Sequence, residues 1–493
     1  MNLKIKFFGW SAGSPVAMLN TKTAENLGVH SGDRVSVNSL KNKSKKFSII
    51  VDISHEIVKE NEIALSSEIK ELIPLHHGEK VRVELSETPK SLFFIKNKLN
   101  NKSLSRLEIS QIIKDIINNS LSESEIAMFI SAMYRNGMNF KETIYLTEAI
   151  LDSGYKLSFD HELVVDKHCI GGIPGNRTTP IVVSICAATG LIFPKTSSRA
   201  ITSAAGTADV IETLARIEFS LEELKKIIKK ENACMVWGGA FELVPADSKI
   251  ISIEKKLKID PHAQMLASIM SKKLAVGSKY ILIDIPFGKG AKVNRKEALK
   301  LKREFEQFGR YFKRKIKCVL TDGKQPIGNG IGPVLEMKDV IAVLDPSQKS
   351  PSDLKEKSIF LAGSILELSG KVKQGKGIST ARKILDSGEA FEKFKRIIKA
   401  QSGKVKELSL SKIKKDILSS KSGRVSEIDN MKINSIARSA GCPTDQYSGI
   451  YLHKHVNDKV QKGDAIMTIY AQSNSRLKEA VNSCNYLKPF KIL

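Results

Sequence analysis

From Gly154 onward, short runs of β-branched and apolar residues alternate with longer helical patterns, and this alternation constrains the fold more than any other feature of the chain. The runs lie at residues 181–183, 234–237 and 280–285. Strands that are separated by helical stretches are typical of α/β domains. The pattern therefore predicts an α/β domain over residues 161–400.

The first 86 residues predict a small β-rich domain. Apolar and polar residues alternate at positions 3–7 and again at 47–53. The string GDRVSV at 32–37 recurs as GEKVRV at 78–83, each after a short helix-like segment. Two similar turn-then-strand units indicate a barrel-like domain with internal pseudo-symmetry. A chance match is the alternative, because glycine–acid turns before valine-rich strands are common.

Between these regions the pattern is helical. Ser122 and Glu125 have the spacing of a capping box, and a buried stripe follows them. We expect a helical domain over residues 87–160, with a later segment near 250–280. The stripe consists of Ile126, Phe129, Ile130 and Met133.

The end of the chain predicts a further domain. A Lys/Ser-rich stretch at 401–422 precedes a Lys462-Gly463-Asp464 turn between two apolar strands, at 456–460 and 465–470. We therefore expect a C-terminal α+β domain over residues 401–493. The length of 493 residues and the 41% content of hydrophobic residues are consistent with three or four packed domains.

Bulk properties exclude several classes of protein. The N-terminal string MNLKIKFFGW lacks the apolar stretch of a secretory signal, and the run 181–193 is too short to span a bilayer, so we expect a soluble cytoplasmic protein. Six scattered cysteines form no CxxC pair, which argues against a zinc site and a disulfide framework. The net charge of +26 would suit nucleic-acid binding, but the lysines are widely spread, which favours a solvated surface that attracts anionic substrates.

Residues 166–179, DKHCIGGIPGNRTT, carry the first candidate for chemistry. They follow the apolar pair Val164-Val165 and combine a lysine, close-spaced glycines and hydroxyl side chains. Such a junction between a strand and a loop can aim backbone N–H groups and an ammonium at a phosphate. A plain glycine-rich turn is the alternative, since the string is neither GxGxxG nor a Walker A loop.

Residues 195–209, KTSSRAITSAAGTAD, form the second candidate segment. Clustered hydroxyls and a guanidinium suit the binding of an anion or a sugar phosphate. Helix caps in a polar loop are the alternative reading. Two such segments in one α/β domain favour a phosphate site, although they do not name a reaction.

Further strings give a resemblance that covers nearly the whole chain. The sequence resembles the thymidine and pyrimidine-nucleoside phosphorylase family, and most closely its archaeal-type branch of AMP phosphorylases. That resemblance implies a multidomain α/β protein: an N-terminal barrel-like domain, a helical domain facing an α/β mixed-sheet domain across a cleft, and a C-terminal α+β domain. The matching strings are KHCIGGIPGNRTT, PKTSSRAITSAAGTAD, VWGGAFELVPAD, IDPHAQMLASIMSKKLAVGS, IDIPFGKGAKV, TDGKQPIGNGIGPVLE and GIYLHKHVNDKVQKGD.

The resemblance implies a reaction in which phosphate attacks the ribose anomeric carbon of AMP, and of CMP or UMP as further candidates, giving free base and ribose 1,5-bisphosphate without a covalent enzyme intermediate. It places the attacking phosphate on Lys167, Thr179, Ser197 and Thr207. It places the nucleotide on Gly172, Ser198, Arg199, Ala200, Ile201, Thr202, Ser203, Thr207, Ser268 and Lys292.

The resemblance also implies a proton donor, Asp260. A carboxyl that donates a proton at neutral pH must be held protonated by burial or by a neighbouring anion. The alternative role for Asp260 is that of a helix N-cap before Pro261. His168 and Lys272 match positions that contact the base in pyrimidine-specific relatives, although a packed histidine and a solvated helix lysine are the simpler readings.

Two positions depart from the family pattern. Cys169 stands where a serine usually donates to phosphate, and a thiol is a weaker donor. Lys255 stands near the place of an arginine, so a point charge replaces a bidentate fork. A pyrimidine-nucleoside phosphorylase, which yields base and (deoxy)ribose 1-phosphate, and a non-catalytic nucleic-acid-binding protein are the alternatives.

The reaction implies phosphate as a co-substrate, no cofactor and no metal, since no carboxylate or histidine cluster demands one. A phosphoribosyltransferase of related fold would instead need magnesium-binding acids for pyrophosphate. The resemblance further implies a homodimer or larger homo-oligomer, with neither a specific nucleic acid nor a membrane as partner. The Gly323 to Gly332 segment before Pro333 is interpreted as a helix start beside the site.

Overall fold

The computed structural model describes residues 1–9, 15–40, 46–72, 75–159, 163–200, 203–239 and 243–493. The chain forms two units. The first consists of Met1–Gly154 and Val244–Ser271, and the second of Tyr155–Leu243 and Lys272–Leu493. The predicted sites at Ile201 and Thr202 lie outside the described residues.

The first unit begins with a closed six-stranded barrel, as the alternating pattern predicts. Its strand order is β1-β5-β2-β4-β3-β6, and Leu3, Val35 and Val81 are among the side chains that fill it. The two repeated strings enter β3 and β6, which pair antiparallel with Val37 opposite Val83. The elements are β1 (Asn2–Phe7), β2 (Val16–Asn20), α1 (Thr21–Leu27), β3 (Arg34–Ser39), β4 (Lys46–Ser54), β5 (Glu62–Leu65), α2 (Ser67–Leu72) and β6 (Lys80–Leu85).

Four helices follow in the first unit: α3 (Ser91–Leu99), α4 (Arg106–Ile117), α5 (Glu123–Asn136) and α6 (Phe140–Asp152). The capping box at Ser122 and Glu125 is confirmed, and the stripe predicted on α5 is buried. Glu125 also pairs with Arg34, which joins α5 to the barrel.

The next region alternates strands and helices, as predicted. Its elements are β7 (Val165–Cys169), α7 (Thr178–Ala188), β8 (Phe193–Ser197), α8 (Thr207–Glu212), α9 (Leu221–Glu231), β9 (Ala233–Trp237), α10 (Pro245–Leu257), α11 (His262–Ala275), β10 (Tyr280–Phe287), α12 (Arg295–Tyr311), β11 (Lys315–Asp322), β12 (Gly330–Ile331), α13 (Pro333–Leu344), α14 (Ser352–Leu368), α15 (Gly377–Asp386) and α16 (Glu389–Ala400). Within the first unit, α10 packs against α4 and α5.

Strands β7 to β11 of the second unit form parallel pairs. Strands β11, β10 and β7 pair in that order, β8 pairs with β9, and a parallel bridge between Val164 and Ile192 joins the two groups. The family resemblance implied a mixed sheet for this region. The pairs among β7 to β11 are parallel because helical connections return the chain to the same end of the sheet before each new strand, whereas β12 pairs antiparallel with β15 (Gly449–Leu452).

One predicted strand is wrong. Residues 181–183 lie inside α7, where Ile181, Val182 and Val183 are fully buried. A helix that is covered on all sides is apolar all round, so its short β-branched run carries no periodic signal that separates it from a strand. Helix α13 does begin at Pro333 directly after the glycine-rich segment, as predicted.

The C-terminal region of the second unit is α+β, as predicted. Of the strand predicted over 456–460, only Lys459–Val460 is a strand. The strand predicted over 465–470 is present at its full length. The elements are β13 (Lys414–Leu418), β14 (Gly423–Ile428), α17 (Asn430–Ala440), β15 (Gly449–Leu452), β16 (Lys459–Val460), β17 (Ala465–Tyr470), α18 (Asn474–Leu487) and β18 (Phe490–Ile492). Strands β12, β15, β17 and β13 form one sheet, so the α/β region and the C-terminal region share it.

Candidate active site

Most of the predicted site residues of the second unit lie at the ends of parallel strands, on the loops that follow these strands, or at the starts of the next helices. The loop 170–177 follows β7, 198–206 follows β8, 288–294 follows β10 and 323–329 follows β11. Parallel strands end at the same edge of a sheet, and open α/β sheets bind ligands at the carboxyl ends of their strands. The topology therefore collects these four loops at one edge.

Lys167 is the buried cation of this edge. Its side chain is 1% exposed, and its Nζ donates to the Thr178 Oγ1 at 2.7 Å and lies 3.4 Å from the Thr179 Oγ1. Both threonines open α7, whose N-terminus has no side-chain cap. Backbone N–H groups and the positive end of a helix favour a bound anion. An ammonium, two hydroxyls and a helix start thus converge on a space suited to phosphate.

Glycines let two loops approach this edge closely. Gly172 has a φ of +93°, and a Cβ there would lie 3.0 Å from both the backbone N and the Cβ of Lys292. A Cβ on Gly175 would lie 2.1 Å from the carbonyl oxygen of Ile327. The structure thereby brings together Gly172 and Lys292, which are far apart in sequence. Gly172 and Gly175 are therefore required by packing as well as by turn geometry, whereas at Gly171 only the backbone conformation favours glycine.

Arg177, which was not among the predicted site residues, connects the two phosphate segments. Its guanidinium donates to the Thr207 Oγ1 at 2.7 Å, to the Ala205 carbonyl at 2.9 Å and to the Glu336 Oε2 at 2.7 Å. Burial raises the pKa of Glu336, and Arg177 opposes that shift. The arginine within the GGIPGNR string was the available signal, because a planar fork of donors suits the joining of several acceptors.

Asp209 shapes the second segment. Its Oδ2 accepts from the backbone N–H groups of Ala200 and Gly206, each at 2.8 Å. These bonds close the ends of the 198–206 loop, as the helix-cap alternative anticipated. Gly206 is needed there, since a Cβ would lie 2.6 Å from the Ala200 nitrogen.

The remaining residues of this segment have different environments. Arg199 is engaged with protein groups: it forms ion pairs with Glu212, Asp209 and Glu218 and lies over the Trp237 ring. The Ser197 Oγ is buried and has no hydrogen-bond partner among the described residues. An unsatisfied buried hydroxyl is the donor expected of a residue that meets an anion. Ser198 is exposed, and Ser203 and Thr207 are half-buried.

Two buried carboxylates lie beneath the loops. Asp166 pairs with Lys273 at 2.7 Å and with Lys195 at 3.5 Å. Asp284, on the neighbouring strand, pairs with Lys357 at 3.1 Å. Together with Lys167, four lysines therefore lie around these two aspartates, next to the phosphate segment. No sequence pattern predicts these pairs, because the partners come from strands and helices that are distant along the chain.

Burial controls the protonation of this cluster. Burial lowers the pKa of Lys167, while the nearby Cys169 and Asp284 oppose the shift. The pKa of His168 is lowered well below its ordinary value by burial and then by Lys273 and other lysines. His168 is therefore neutral at neutral pH and offers an imidazole that can accept or donate one hydrogen bond.

Cys169 is a half-buried thiol. Burial, followed by the charge of Asp284, raises the pKa of Cys169 to about 11. The Asn176 Nδ2 lies 3.3 Å from its sulfur. A thiol that stays protonated at neutral pH is a poor nucleophile. The geometry therefore agrees with the view that Cys169 forms no covalent intermediate.

The remaining predicted residues are divided between the units. In the first unit, Asp260 is exposed and lies just before α11, whereas Ser268 is buried on that helix and Lys255 is exposed on α10. In the second unit, Lys272 is half-buried near the end of α11, one residue before the buried Lys273. The donor role of Asp260 and the base contacts of His168 and Lys272 stay predictions.

Among the described residues, no group of three or more His, Cys, Asp or Glu side chains could hold a metal ion. The described helices include none that is long and apolar enough to cross a membrane. The expectation that the reaction needs no cofactor stays a prediction.

Comparison with known proteins identifies the family. Residues 94–154 match the helical bundle domain of the glycosyl transferase family, residues 161–391 match its a/b domain, and residues 424–487 match the pyrimidine nucleoside phosphorylase C-terminal domain. The fold resembles the solved anthranilate phosphoribosyltransferase of Thermus thermophilus, with a TM-score of 0.52 and 17% identity over 63% of this chain and 99% of that one.

Full-length relatives are more similar. An AMP phosphorylase of Pyrococcus horikoshii is 45% identical, and one of Pyrococcus furiosus is 42% identical; each match covers 100% of this chain and 98% of the relative. The resemblance drawn from the sequence strings is thus confirmed. The chain belongs to the thymidine and pyrimidine-nucleoside phosphorylase family of glycosyltransferases, in the branch of the AMP phosphorylases.

Proposed function

We propose that the protein catalyses the phosphorolysis of AMP to adenine and ribose 1,5-bisphosphate, with CMP and UMP as further candidate substrates. The observation that carries the proposal is the contact of the Lys167 ammonium with the Thr178 and Thr179 hydroxyls at the start of α7. This arrangement offers an anion site in a chain whose full-length relatives are named AMP phosphorylases.

In the proposed reaction, an oxygen of inorganic phosphate bonds to C1′ of the ribose as the bond from C1′ to the base nitrogen breaks. The electron pair of that bond leaves with the base, which takes a proton from Asp260. Holding two anions together lowers the entropic cost of the encounter. The surplus of buried lysines around Asp166 and Asp284 offsets the repulsion between those anions.

The site residues enter the proposal in the following roles. Lys167, Thr179 and Ser197 bind the attacking phosphate, and Thr207 binds either anion. Arg177 fixes the Thr207 hydroxyl by its 2.7 Å contact. His168, in its neutral form, and Lys272 contact the base. The nucleotide contacts are Gly172, Ser198, Arg199, Ala200, Ile201, Thr202, Ser203, Ser268 and Lys292.

Arg199 requires a specific condition in this scheme. Its guanidinium already binds Glu212 through both terminal nitrogens. A nucleotide contact through Arg199 would therefore use one of its remaining N–H donors or require exchange of a carboxylate. We propose that Arg199 acts mainly by holding the 198–206 loop beside Trp237.

The proposal is tested with purified protein, AMP and inorganic phosphate. We expect adenine and ribose 1,5-bisphosphate in equal amounts, and release of adenine that stops when phosphate is omitted. Lys167→Met should lower kcat/KM by about 100-fold or more, whereas Lys226→Met, at an exposed lysine of the same unit, should not. Release of adenine without phosphate would contradict the proposal.

The same assay distinguishes AMP phosphorolysis from the alternative, a pyrimidine-nucleoside phosphorylase. The match of residues 424–487 to the pyrimidine nucleoside phosphorylase C-terminal domain favours that alternative. Thymidine and uridine are compared with AMP, CMP and UMP under identical conditions. A preference for the nucleosides would replace our proposal by this alternative.

The role of Asp260 needs its own test. Asp260→Asn should lower kcat for AMP by about 100-fold to 10,000-fold, the usual range for loss of a general acid. N7-methylated AMP carries a cationic base that leaves without protonation, so the variant should cleave it nearly as fast as the unaltered protein does. Equal losses on both substrates would exclude proton donation by Asp260.

A structure with AMP and a phosphate mimic bound tests the contacts proposed for Lys167 and the role proposed for Asp260. We also propose that the protein is a homo-oligomer in the cytoplasm. The six free thiols of each chain suit a reducing compartment. Analytical ultracentrifugation tests the oligomer, and a monomer at assay concentration would contradict it.

A further inference from the structure

Helix α17 of the C-terminal region reaches three of the loops at the carboxyl edge of the parallel sheet. Its apolar face is fixed in the core of the C-terminal region, and Asp429 caps its start by accepting from the N–H groups of Met431 and Lys432 at 2.9 and 3.1 Å. A helix anchored in this way is a rigid platform for the side chains on its other face. The anchoring residues are Ile433, Ile436, Ala437 and Ala440.

The first contact is to the loop after β8. The Asn434 Oδ1 accepts from the Ala204 N–H at 3.0 Å. Ala204 is 1% exposed and belongs to the apolar core of the C-terminal region rather than to that of the α/β region. Arg438, one turn further along α17, donates to the carbonyl of Ser203 at 3.3 Å. The segment Ser203-Ala204 is therefore held by α17.

The second contact is to the loops after β10 and β11. Asn430 is fully buried, and its Nδ2 donates to the Gly323 carbonyl at 2.8 Å and to the Gly290 carbonyl at 3.3 Å. Gly290 lies two residues before Lys292, whose backbone abuts Gly172. One amide group thus ties together the loop that carries Lys292 and the neighbouring loop.

We infer that α17 is a positioning element of the nucleotide site, with Asn434 setting the place of Ser203 and Asn430 setting the place of Lys292. The inference rests on the proposed function, in which Ser203 and Lys292 contact the nucleotide. Neither asparagine touches the nucleotide in that scheme, and each acts through the backbone of another loop. Loss of either should weaken the binding of AMP more than it slows the chemical step.

Asn434 and Asn430 use different ends of the side-chain amide, so substitution by aspartate should have opposite effects at the two positions. Asn434 uses an acceptor, so Asn434→Asp keeps the bond to Ala204 and Asn434→Ala loses it. Asn430 uses its donors, so Asn430→Asp loses both bonds and places a carboxylate against two carbonyl oxygens. Ser435→Ala, at an exposed position of the same helix, is the matched control.

We expect Asn434→Ala to raise KM for AMP by about twofold to tenfold, the usual value of one hydrogen bond, with kcat and KM for phosphate within about twofold. Asn434→Asp should restore KM for AMP. Asn430→Ala and Asn430→Asp should both raise KM for AMP, the aspartate by at least as much. Should Asn434→Ala fail to fold, Asn434→Ser, whose hydroxyl is too short to reach Ala204, replaces it.

A second readout does not depend on activity. Amide hydrogen exchange of the peptide that contains Ala204 should be faster in Asn434→Ala than in Asn434→Asp or Ser435→Ala. If the unaltered protein proves not to phosphorolyse AMP, the proposed function fails, while the exchange data still decide whether α17 holds this loop. Unchanged exchange, or a KM for AMP in Asn434→Ala equal to that of the control, would overturn the inference.

Discussion

Lys167 is held in a place that disfavours its charge. Its side chain is 1% exposed, and burial lowers its pKa, while the hydroxyls of Thr178 and Thr179 accept hydrogen bonds from its ammonium. Charge kept in a dry site has little solvent to reorganise when an anion arrives, which strengthens binding. The excess of lysines around Asp166 and Asp284 extends this positive potential.

The lowered pKa of Lys167 predicts the pH dependence of phosphate use. The ammonium is the form that binds phosphate, so binding persists below this pKa and is lost as pH rises through it. We expect kcat/KM for phosphate to decline on the alkaline side before the ordinary lysine value of about 10.4 is reached. Rates measured with limiting phosphate from about pH 8 to 10, where phosphate stays a dianion, check this. A flat profile over that range would contradict it.

Cys169 gives a second prediction at this scale. The thiol is protonated at neutral pH, because burial raises its pKa to about 11, and it donates a weaker hydrogen bond than a hydroxyl. Cys169→Ser should lower KM for phosphate by about twofold to tenfold, the usual value of one hydrogen bond. KM for AMP serves as the internal reference and should not change. An increase in KM for phosphate would show that the thiol is the better fit for this loop.

At the scale of elements, α3 and α6 are joined by a buried ion pair. Lys98 Nζ and Glu142 Oε1 lie 2.8 Å apart, with side chains 4% and 3% exposed. Glu142 also accepts from the backbone N–H groups of Leu104 at 2.9 Å and Asn139 at 2.9 Å. The Glu142 carboxylate thus pairs with a lysine, accepts a hydrogen bond from a loop and completes a capping box.

Removing one partner of this pair should be costly. Glu142→Leu leaves the Lys98 ammonium buried without its carboxylate, so we expect a loss of about 3–5 kcal/mol in the free energy of unfolding. Adding Lys98→Met to that variant should recover much of the loss. Glu356→Gln, in the exposed pair with Arg382, is the control and should cost less than about 1 kcal/mol. Urea denaturation compares the variants, and a double variant no better than Glu142→Leu would contradict the expectation.

At the scale of the whole molecule, the net charge of +26 predicts weak retention on DNA. Contacts of dispersed lysines with phosphates release counterions, so retention should fall steeply between about 50 and 200 mM salt. Phosphorolysis of AMP should persist in the presence of competing duplex DNA at the higher salt concentration. Tight binding that survives there, together with absent phosphorolysis, would favour the nucleic-acid alternative.

Much of the fold follows from local sequence pattern. Alternation in the first 86 residues predicted strands that close into a barrel, and capping spacing at Ser122 predicted the start of α5. These signals are local because a strand or a cap involves residues close in sequence. The same rule failed at 181–183, where burial on all sides of α7 removed the periodicity.

The candidate site contains contacts that local sequence pattern does not predict. Lys167 and Thr179 were proposed from one string, and the structure brings them together because the strand and the helix that carry them are consecutive. Arg177, Asp284, Asn430 and Asn434 were not proposed, since their partners are 25 or more residues away along the chain. For example, Arg177 meets Thr207 and Glu336 only after the sheet has formed.

The sequence by itself determined the family, the order of barrel, helical, α/β and C-terminal regions, and the strings that carry the phosphate chemistry. Only the tertiary structure decided that the strand pairs among β7 to β11 are parallel, that four lysines surround two buried aspartates, and that α17 holds loops after β8, β10 and β11. The physical reason is that burial and long-range hydrogen bonds depend on which elements pack together. A residue's type and neighbours in sequence fix its chemistry, whereas its protonation and its partners are fixed by the fold around it.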